Sequence, residues 1–291
     1  MIRTPVRILS TVLLGIALAA PVLVRAAPPA DTIERVTRTG TLIVGYRADS
    51  APFSFDGPDG RPAGYSVALC RQVAESLKTR LKLPRLEVKW VPVTVASRIA
   101  SVENGTVDLE CGSTTRTLSR MERVDFSLPI FIEGSSFITL ASSGLKNGRD
   151  LAGKRVGVIP GTTTETMLKA AQGKDGFSGV LVPVKTHDEG VAALADGRID
   201  AYVSDRTILV GMARASGRAG TAWQLSDDFF SLETYGLMMR RDARFRVEVD
   251  RALSDLYRSG RVIDLFGAAF GTNVPLPPAL QAMYLQNALP E

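Results

Sequence analysis

The residues with the most definite chemistry lie in one stretch, Gly105-Thr106-Val107-Asp108-Leu109-Glu110-Cys111-Gly112-Ser113-Thr114-Thr115, with Arg120 shortly after it. Val107 to Cys111 reads as a short buried strand that ends on a glycine and three hydroxyl residues. A glycine at that point lets a ligand approach the backbone closely. The hydroxyls and N–H groups beyond it exchange hydrogen bonds, and Arg120 presents a planar fork of donors that matches a carboxylate. Thr117 is the expected N-cap of the short segment carrying Arg120. These residues suit a small anion. The plainer reading is a strand followed by a polar turn, and the rest of the chain has to decide between the two.

Groups of the same kind recur beyond other strand ends. Arg47 and Arg98 belong to the first half of the chain. Thr162 and Thr163 open a helix behind Gly161 in the second half, where N–H groups point at an anion, and His187 and Asp205 follow. Three arginines near one cleft repel one another without an anionic ligand, and an aspartate opposite them suits an ammonium. The inventory fits an α-amino acid, and the surplus positive charge fits one with an acidic side chain. Singly, each residue has an ordinary explanation. A lone arginine is commonly a solvated surface residue, and His187 or Asp205 could cap a helix. Their joint placement at strand ends argues for a site, because ligands of open α/β sheets bind there.

The elements that would position these residues can be read in order. Asp31 caps a helix to about Arg38, closed by Gly40. Thr41 to Tyr46 is a strand leading to Arg47, and Asp56 to Gly60 is a tight turn. A helix after Gly64 carries Val67, Leu69, Cys70, Val73, Ala74 and Leu77 on one face. Leu86 to Val93 reads as a strand, Thr94 to Asn104 as a short helix carrying Arg98, and the opening stretch follows. This strand-helix alternation builds a parallel sheet with crossover helices. Asp125 to Ile132 and Ser135 to Ala141 are extended, and the Ser142 to Gly148 breaks mark the expected crossing to a second lobe. There, strands at 155–159, 180–184 and 199–205 alternate with helices at 162–171, 188–195 and 206–215. Trp223 to Phe230 and Glu233 to Arg240 read as extended, the latter returning to the first lobe. Helices at 245–257 and 262–270 precede a proline-rich tail. The expected fold is α/β and two-lobed, with residues 40–140 plus 233–270 in lobe 1, 141–232 in lobe 2, 271–291 as the tail, two hinge crossovers, and a ligand cleft between the lobes.

Charge and composition narrow the function. The chain of 291 residues carries 35 Lys and Arg against 30 Asp and Glu. Arg3, Arg7 and Arg25 lie in the first 26 residues, which hold no acid, so the remainder has 32 against 30, near +2. No basic run or aromatic-basic interleaving points to nucleic acid. Arg3 and Arg7 followed by the apolar run Ile8 to Val24, with Val24-Arg25-Ala26 as a cleavage site, read as a signal peptide over residues 1–26, cut before Ala27. The alternative is an uncleaved anchor, for which the run is just short of the usual ~18–20 residues. An exported chain with two cysteines, Cys70 and Cys111, is compatible with a disulfide and equally with two buried thiols. One histidine and no CxxC leave no basis for a metal site, and no cofactor motif is present.

In their order, Gly45-Tyr46-Arg47, Pro52-Phe53-Ser54, Gly64-Tyr65-Ser66, Arg98-Ile99, Asn104-Gly105-Thr106, Glu110 to Thr115, Arg120, Gly161-Thr162-Thr163 and His187 resemble the periplasmic glutamate/aspartate-binding proteins of ABC transporters, within family 3 of extracellular solute-binding proteins. The resemblance spans nearly all of the chain from about Gly40. It implies that Arg120, Ser113 and Thr115, with Thr163 from the other lobe, hold an α-carboxylate. Asp205 would take the α-ammonium, and Arg47, Arg98 and His187 the side-chain carboxylate. It also implies a periplasmic location, an inner-membrane permease as partner and no enzymatic activity. One departure is Val95, where that branch often has a serine three residues before the arginine. Two rival readings remain on the same fold. One is a dehydratase for cyclic acids, with Glu110 or His187 as general acid or base. The other is a ligand-sensing module for a receptor.

Overall fold

The computed structural model describes residues 31–172, 177–215 and 223–290; the expected leader at residues 1–26 lies outside them. Helix α1 (Thr32–Thr39) starts where the Asp31 carboxylate accepts the Ile33 N–H at 2.8 Å, and Gly40 ends it at φ 63°. Strand β1 (Thr41–Tyr46) follows, then the short strands β2 (Asp49–Ser50), β3 (Ser54–Asp56) and β4 (Pro62–Ala63), which form a small sheet of their own. Helix α2 (Tyr65–Arg80) buries all six of the apolar positions expected on its inner face. Strand β5 (Glu87–Pro92) pairs parallel with β1; helix α3 (Arg98–Glu103) leads to β6 (Leu109–Cys111), parallel to β1 on its other side. Helix α4 (Leu118–Met121) precedes β7 (Asp125–Glu133).

The chain then leaves this sheet earlier than expected. Strand β8 (Ser135–Leu140) pairs in the second sheet, so the crossing is at Gly134 and not among the breaks at 142–148. The backbone stays extended through the switch, which leaves no turn residue to read. Gly134 is required by space: a Cβ there would lie 2.6 Å from the Ser231 carbonyl on the returning crossover. The breaks at 142–148 serve instead to turn β8 back towards β9 (Arg155–Val158). Helix α5 (Thr163–Ala171), β10 (Val180–Pro183), helix α6 (His187–Ala195), β11 (Ala201–Asp205), helix α7 (Arg206–Ala215) and β12 (Trp223–Leu225) complete the second lobe, with strand order β10-β9-β11-β8-β12. The expected extended run to Phe230 stops at Leu225, and 226–232 is irregular.

Strand β13 (Glu233–Met239) returns to the first sheet and inserts antiparallel between β6 and β7, giving the order β5-β1-β6-β13-β7. Helices α8 (Ala243–Arg258), α9 (Arg261–Phe270) and α10 (Pro278–Gln286) pack on the first lobe, and α10 gives the proline-rich tail a helical end. The molecule is a two-lobed α/β protein. A disulfide joins Cys70 on α2 to Cys111 at the end of β6, with 6.4 Å between Cα atoms, so the strand end that carries the hydroxyl run is tied covalently to the helix behind it. Phe53, Phe131, Tyr235 and Phe270 form an aromatic cluster under the same region, with Phe53 and Phe131 centroids 4.8 Å apart.

Candidate functional site

The three arginines are not surface residues. Arg47 is 2 %, Arg98 3 % and Arg120 8 % exposed, which removes the solvated reading for each. Arg47 stands directly beyond β1. Its Nη2 donates to Asp49 Oδ1 at 2.7 Å, and its backbone N–H donates to Ser54 Oγ at 2.9 Å. Arg98 is the first residue of α3 and donates from Nη1 to Thr114 Oγ1 at 2.9 Å; that hydroxyl donates in turn to Glu110 Oε2 at 2.8 Å. Arg120 is oriented by the expected cap, Thr117, whose hydroxyl accepts the Arg120 N–H at 3.2 Å. Its guanidinium donates to the Thr115 carbonyl at 2.7 Å and, across to the second lobe, to the Gly161 carbonyl at 3.4 Å.

Ser113 and Thr115 are buried beyond β6. Gly112 ahead of them leaves no room for a side chain, because a Cβ would lie 2.2 Å from Glu110 Oε1 and 3.0 Å from Arg47 Cγ. The glycine therefore lets two charged side chains pass the strand end, where the sequence suggested only that it would admit a ligand.

The second lobe contributes helix starts and one strand end. Thr162 caps α5 by accepting the Glu165 N–H at 3.1 Å, which leaves Thr163 as the first helical residue. His187 is not a cap: Thr186 caps α6, and His187 is buried as its first residue. The His187 N–H donates to Asp49 Oδ2 at 3.3 Å, and its Nδ1 lies 2.7 Å from the Tyr202 hydroxyl. Asp205 closes β11 and accepts the hydroxyl of Tyr235, which comes from β13. The two lobes are thus in contact at the site.

The electrostatics bind these groups into one neighbourhood. Burial depresses Arg98 to about 9, opposed by Glu110 and assisted by Arg120 and Arg47, so it remains charged at neutral pH. Burial pushes Glu110 up, with Arg98 the main group holding it down. Burial, then Arg47, lowers His187 to about 3, which keeps the imidazole neutral. Burial and then the Glu233 carboxylate raise Asp205 to about 6, against Tyr235, Arg98 and Arg120. Glu133, at the end of β7, is raised by burial and then by Asp205 to about 8. Burial would raise Asp49, yet Arg47 and His187 bring it below the usual carboxylate range.

Several residues here take roles that depend on partners distant in the chain. Asp49 pairs Arg47 and reaches His187. Thr114 lies inside the hydroxyl run but faces Arg98. Glu110 is fully buried, and its Oε1, like Arg47 Nε and Arg98 Nε, has no hydrogen-bond partner. Glu233, at the start of β13, accepts on Oε2 from Thr115 Oγ1 at 2.5 Å and from Thr163 Oγ1 at 3.0 Å. Val95 is buried in an apolar cluster with Ile159 and Val184 of the second lobe. It therefore makes an apolar contact between the lobes. Among the described residues no group of His, Cys, Asp and Glu side chains is arranged to hold a metal ion.

A set of three buried arginines, one neutral imidazole and one raised carboxylate can hold a small zwitterion with further negative charge. Residues 42–272 match the model of the bacterial extracellular solute-binding proteins, family 3. An L-glutamate/L-aspartate-binding protein of Pseudomonas aeruginosa is 38% identical over 93% of this chain and 89% of its own. A glutamate/aspartate import solute-binding protein of Salmonella typhimurium is 33% identical over 87% and 83%. Among solved structures, an ancestral amino acid-binding protein described as a precursor of cyclohexadienyl dehydratase superposes with a TM-score of 0.71 at 26% identity, over 82% of this chain and 99% of that one. The match over most of its length, on a two-lobed fold with a buried anion-directed site between the lobes, means that this chain belongs to the bacterial extracellular solute-binding proteins, family 3.

Proposed function

We propose that the protein captures an acidic amino acid, glutamate or aspartate, in the periplasm and delivers it to the membrane permease of an ABC importer, after export directed by residues 1–26. The observation that carries this reading is the convergence of Arg47, Arg98 and Arg120, all buried, opposite Asp205. Arg120 with Ser113, Thr115 and Thr163 would hold the α-carboxylate, and Asp205 the α-ammonium. Arg47, Arg98 and the neutral His187 would receive the second carboxylate, with His187 donating from Nε2 while Tyr202 engages Nδ1. The naming of the Pseudomonas and Salmonella relatives supports the ligand class. The lobes would close about the two crossovers near Gly134 and residues 226–232, since both sets of contacts exist only in the closed form.

The enzyme reading asks for a general acid or base near neutral pH. Its two sequence candidates are poorly suited, because His187 is held at about 3 and Glu110 is fixed by Thr114 beside Arg98. Titration calorimetry with each amino acid tests the proposal. Binding of glutamate or aspartate alone is the expected result. Binding of neutral or basic amino acids would overturn the roles of Arg47, Arg98 and His187. Turnover of a cyclic acid would establish the enzyme reading instead.

A further inference from the structure

Glu233 occupies a position that the binding reading gives to a ligand. Thr115 and Thr163 are two of the residues expected to donate hydroxyl protons to an α-carboxylate. A threonine hydroxyl has one proton, and a carboxylate only accepts. Both hydroxyls meet the same oxygen, Glu233 Oε2, at 2.5 and 3.0 Å, so both protons are committed to it. After burial, which lowers Arg120, the Glu233 carboxylate is the strongest influence on that guanidinium and favours its charge. The chain thus presents its own carboxylate to the donors meant for a ligand's.

The location makes that carboxylate a link between lobes. Thr115 stands beyond β6 of the first lobe, Thr163 opens α5 of the second, and Glu233 begins the strand that returns between them. Its other oxygen, Oε1, accepts from Ser231 Oγ at 3.0 Å, and Ser231 Oγ lies 2.7 Å from Ser135 Oγ. Ser135 is the first residue after the Gly134 crossing. Glu233 is therefore tied to both crossovers as well as to both lobes. It is half-buried, and it borders a cavity of about 460 Å³ together with Thr115, Thr163, Ser231 and Leu232, which gives the side chain room to swing away.

We propose that Glu233 is an internal carboxylate latch: in the ligand-free protein it holds the lobes together through Thr115 and Thr163, and an incoming α-carboxylate must displace it. The affinity arm of this proposal rests on the acidic amino-acid reading; the closure arm does not. In Glu233→Ala the threonine hydroxyls become available, so the acidic ligand binds about tenfold more tightly, the scale of one charge-assisted hydrogen bond. The same variant, without ligand, opens and shows a larger radius of gyration in solution scattering. A double-mutant cycle separates the latch from a simple change of charge. Thr163→Val costs little affinity in the wild-type protein and about tenfold in Glu233→Ala, where its hydroxyl is free to donate.

Equal or weaker binding by Glu233→Ala, or a Thr163→Val effect of the same size in both backgrounds, overturns the latch. Should Glu233→Ala not fold, Glu233→Gln decides by the same criterion: tighter binding supports the latch and equal or weaker binding overturns it. Should the wild-type protein bind neither glutamate nor aspartate, the ligand reading fails and scattering alone judges the latch. A larger ligand-free radius for the variant then supports it, and an unchanged radius overturns it.

Discussion

On the first-lobe side of the cleft, the charged side chains already hold partners within the lobe: Arg47 to Asp49, Arg98 through Thr114 to Glu110, and Arg120 to the Thr115 carbonyl. On the second-lobe side, Thr163 and His187 sit at helix starts and Asp205 at a strand end. Two of these three, Thr163 and Asp205, spend their bonds on residues of the returning strand β13. The first lobe is preorganised and the second completes it. A guanidinium that is fixed before the ligand arrives loses less conformational entropy on binding. Groups that already hold a protein partner must instead exchange that bond for one to the ligand, which lowers their net contribution to affinity.

That difference is open to test. The largest effect is expected for Arg120→Ala, which removes the guanidinium that meets both lobes. Loss of a buried charged contact costs about 2–5 kcal/mol, enough to abolish measurable binding of every amino acid by calorimetry. Unchanged affinity would remove Arg120 from the site. Next is Arg98→Ala, which should weaken dicarboxylic ligands more than neutral ones. It also removes the main charge that favours the buried Glu110 carboxylate, so the unfolding temperature should fall. Adding Glu110→Gln should recover part of that stability while leaving binding impaired. Full recovery of binding would show that Arg98 is structural only. For the second lobe, Asp205→Asn should weaken binding without lowering the unfolding temperature, and a loss of stability as large as that of Arg98→Ala would break the comparison.

A smaller effect concerns protons. Asp205 is raised from 3.8 to about 6 in the ligand-free fold. The folded state therefore binds more protons than the unfolded one between these values, and this group's contribution to stability falls as pH rises through that window. An ammonium seated on Asp205 favours the carboxylate, so binding releases protons below about pH 6 and affinity weakens as pH drops. Calorimetry at pH 5.5 in buffers of different ionisation heat reads this directly. The release should disappear in Asp205→Asn, and its persistence there would assign the proton elsewhere. The smallest effect is expected for Val95→Ser, which exchanges an apolar contact with the second lobe for a hydroxyl. It should change the ratio of glutamate to aspartate affinity by less than about 1.4 kcal/mol, one factor of ten.

Local signals were legible wherever a residue's role depends on its neighbours along the chain. The Asp31 cap, the Gly40 stop, the limits of β1, the inner face of α2 and the Thr117 cap depend on backbone hydrogen bonds and side-chain period. They are readable from a few consecutive residues. The strand-end arginines were legible for the same reason, since strand and helix boundaries place them. The crossing at Gly134 was not, because an extended chain can pass from one sheet to another without any turn residue. Nor was the cap of α6, because Thr186, His187 and Asp188 can each cap a helix start and the strand-to-helix boundary decides among them.

The sequence alone carried the element order, the anion-directed inventory and its match to an acidic amino acid, because residue type and spacing express those. The disulfide between Cys70 and Cys111, the Glu110 counter-charge beneath Arg98, the Asp49 link between Arg47 and His187, and the bridge from Glu233 to Thr115 and Thr163 were decided by tertiary structure. Each joins residues far apart in the chain or on different elements. Such pairings depend on how strands are ordered in the sheets and how the lobes close, and short-range pattern contains neither.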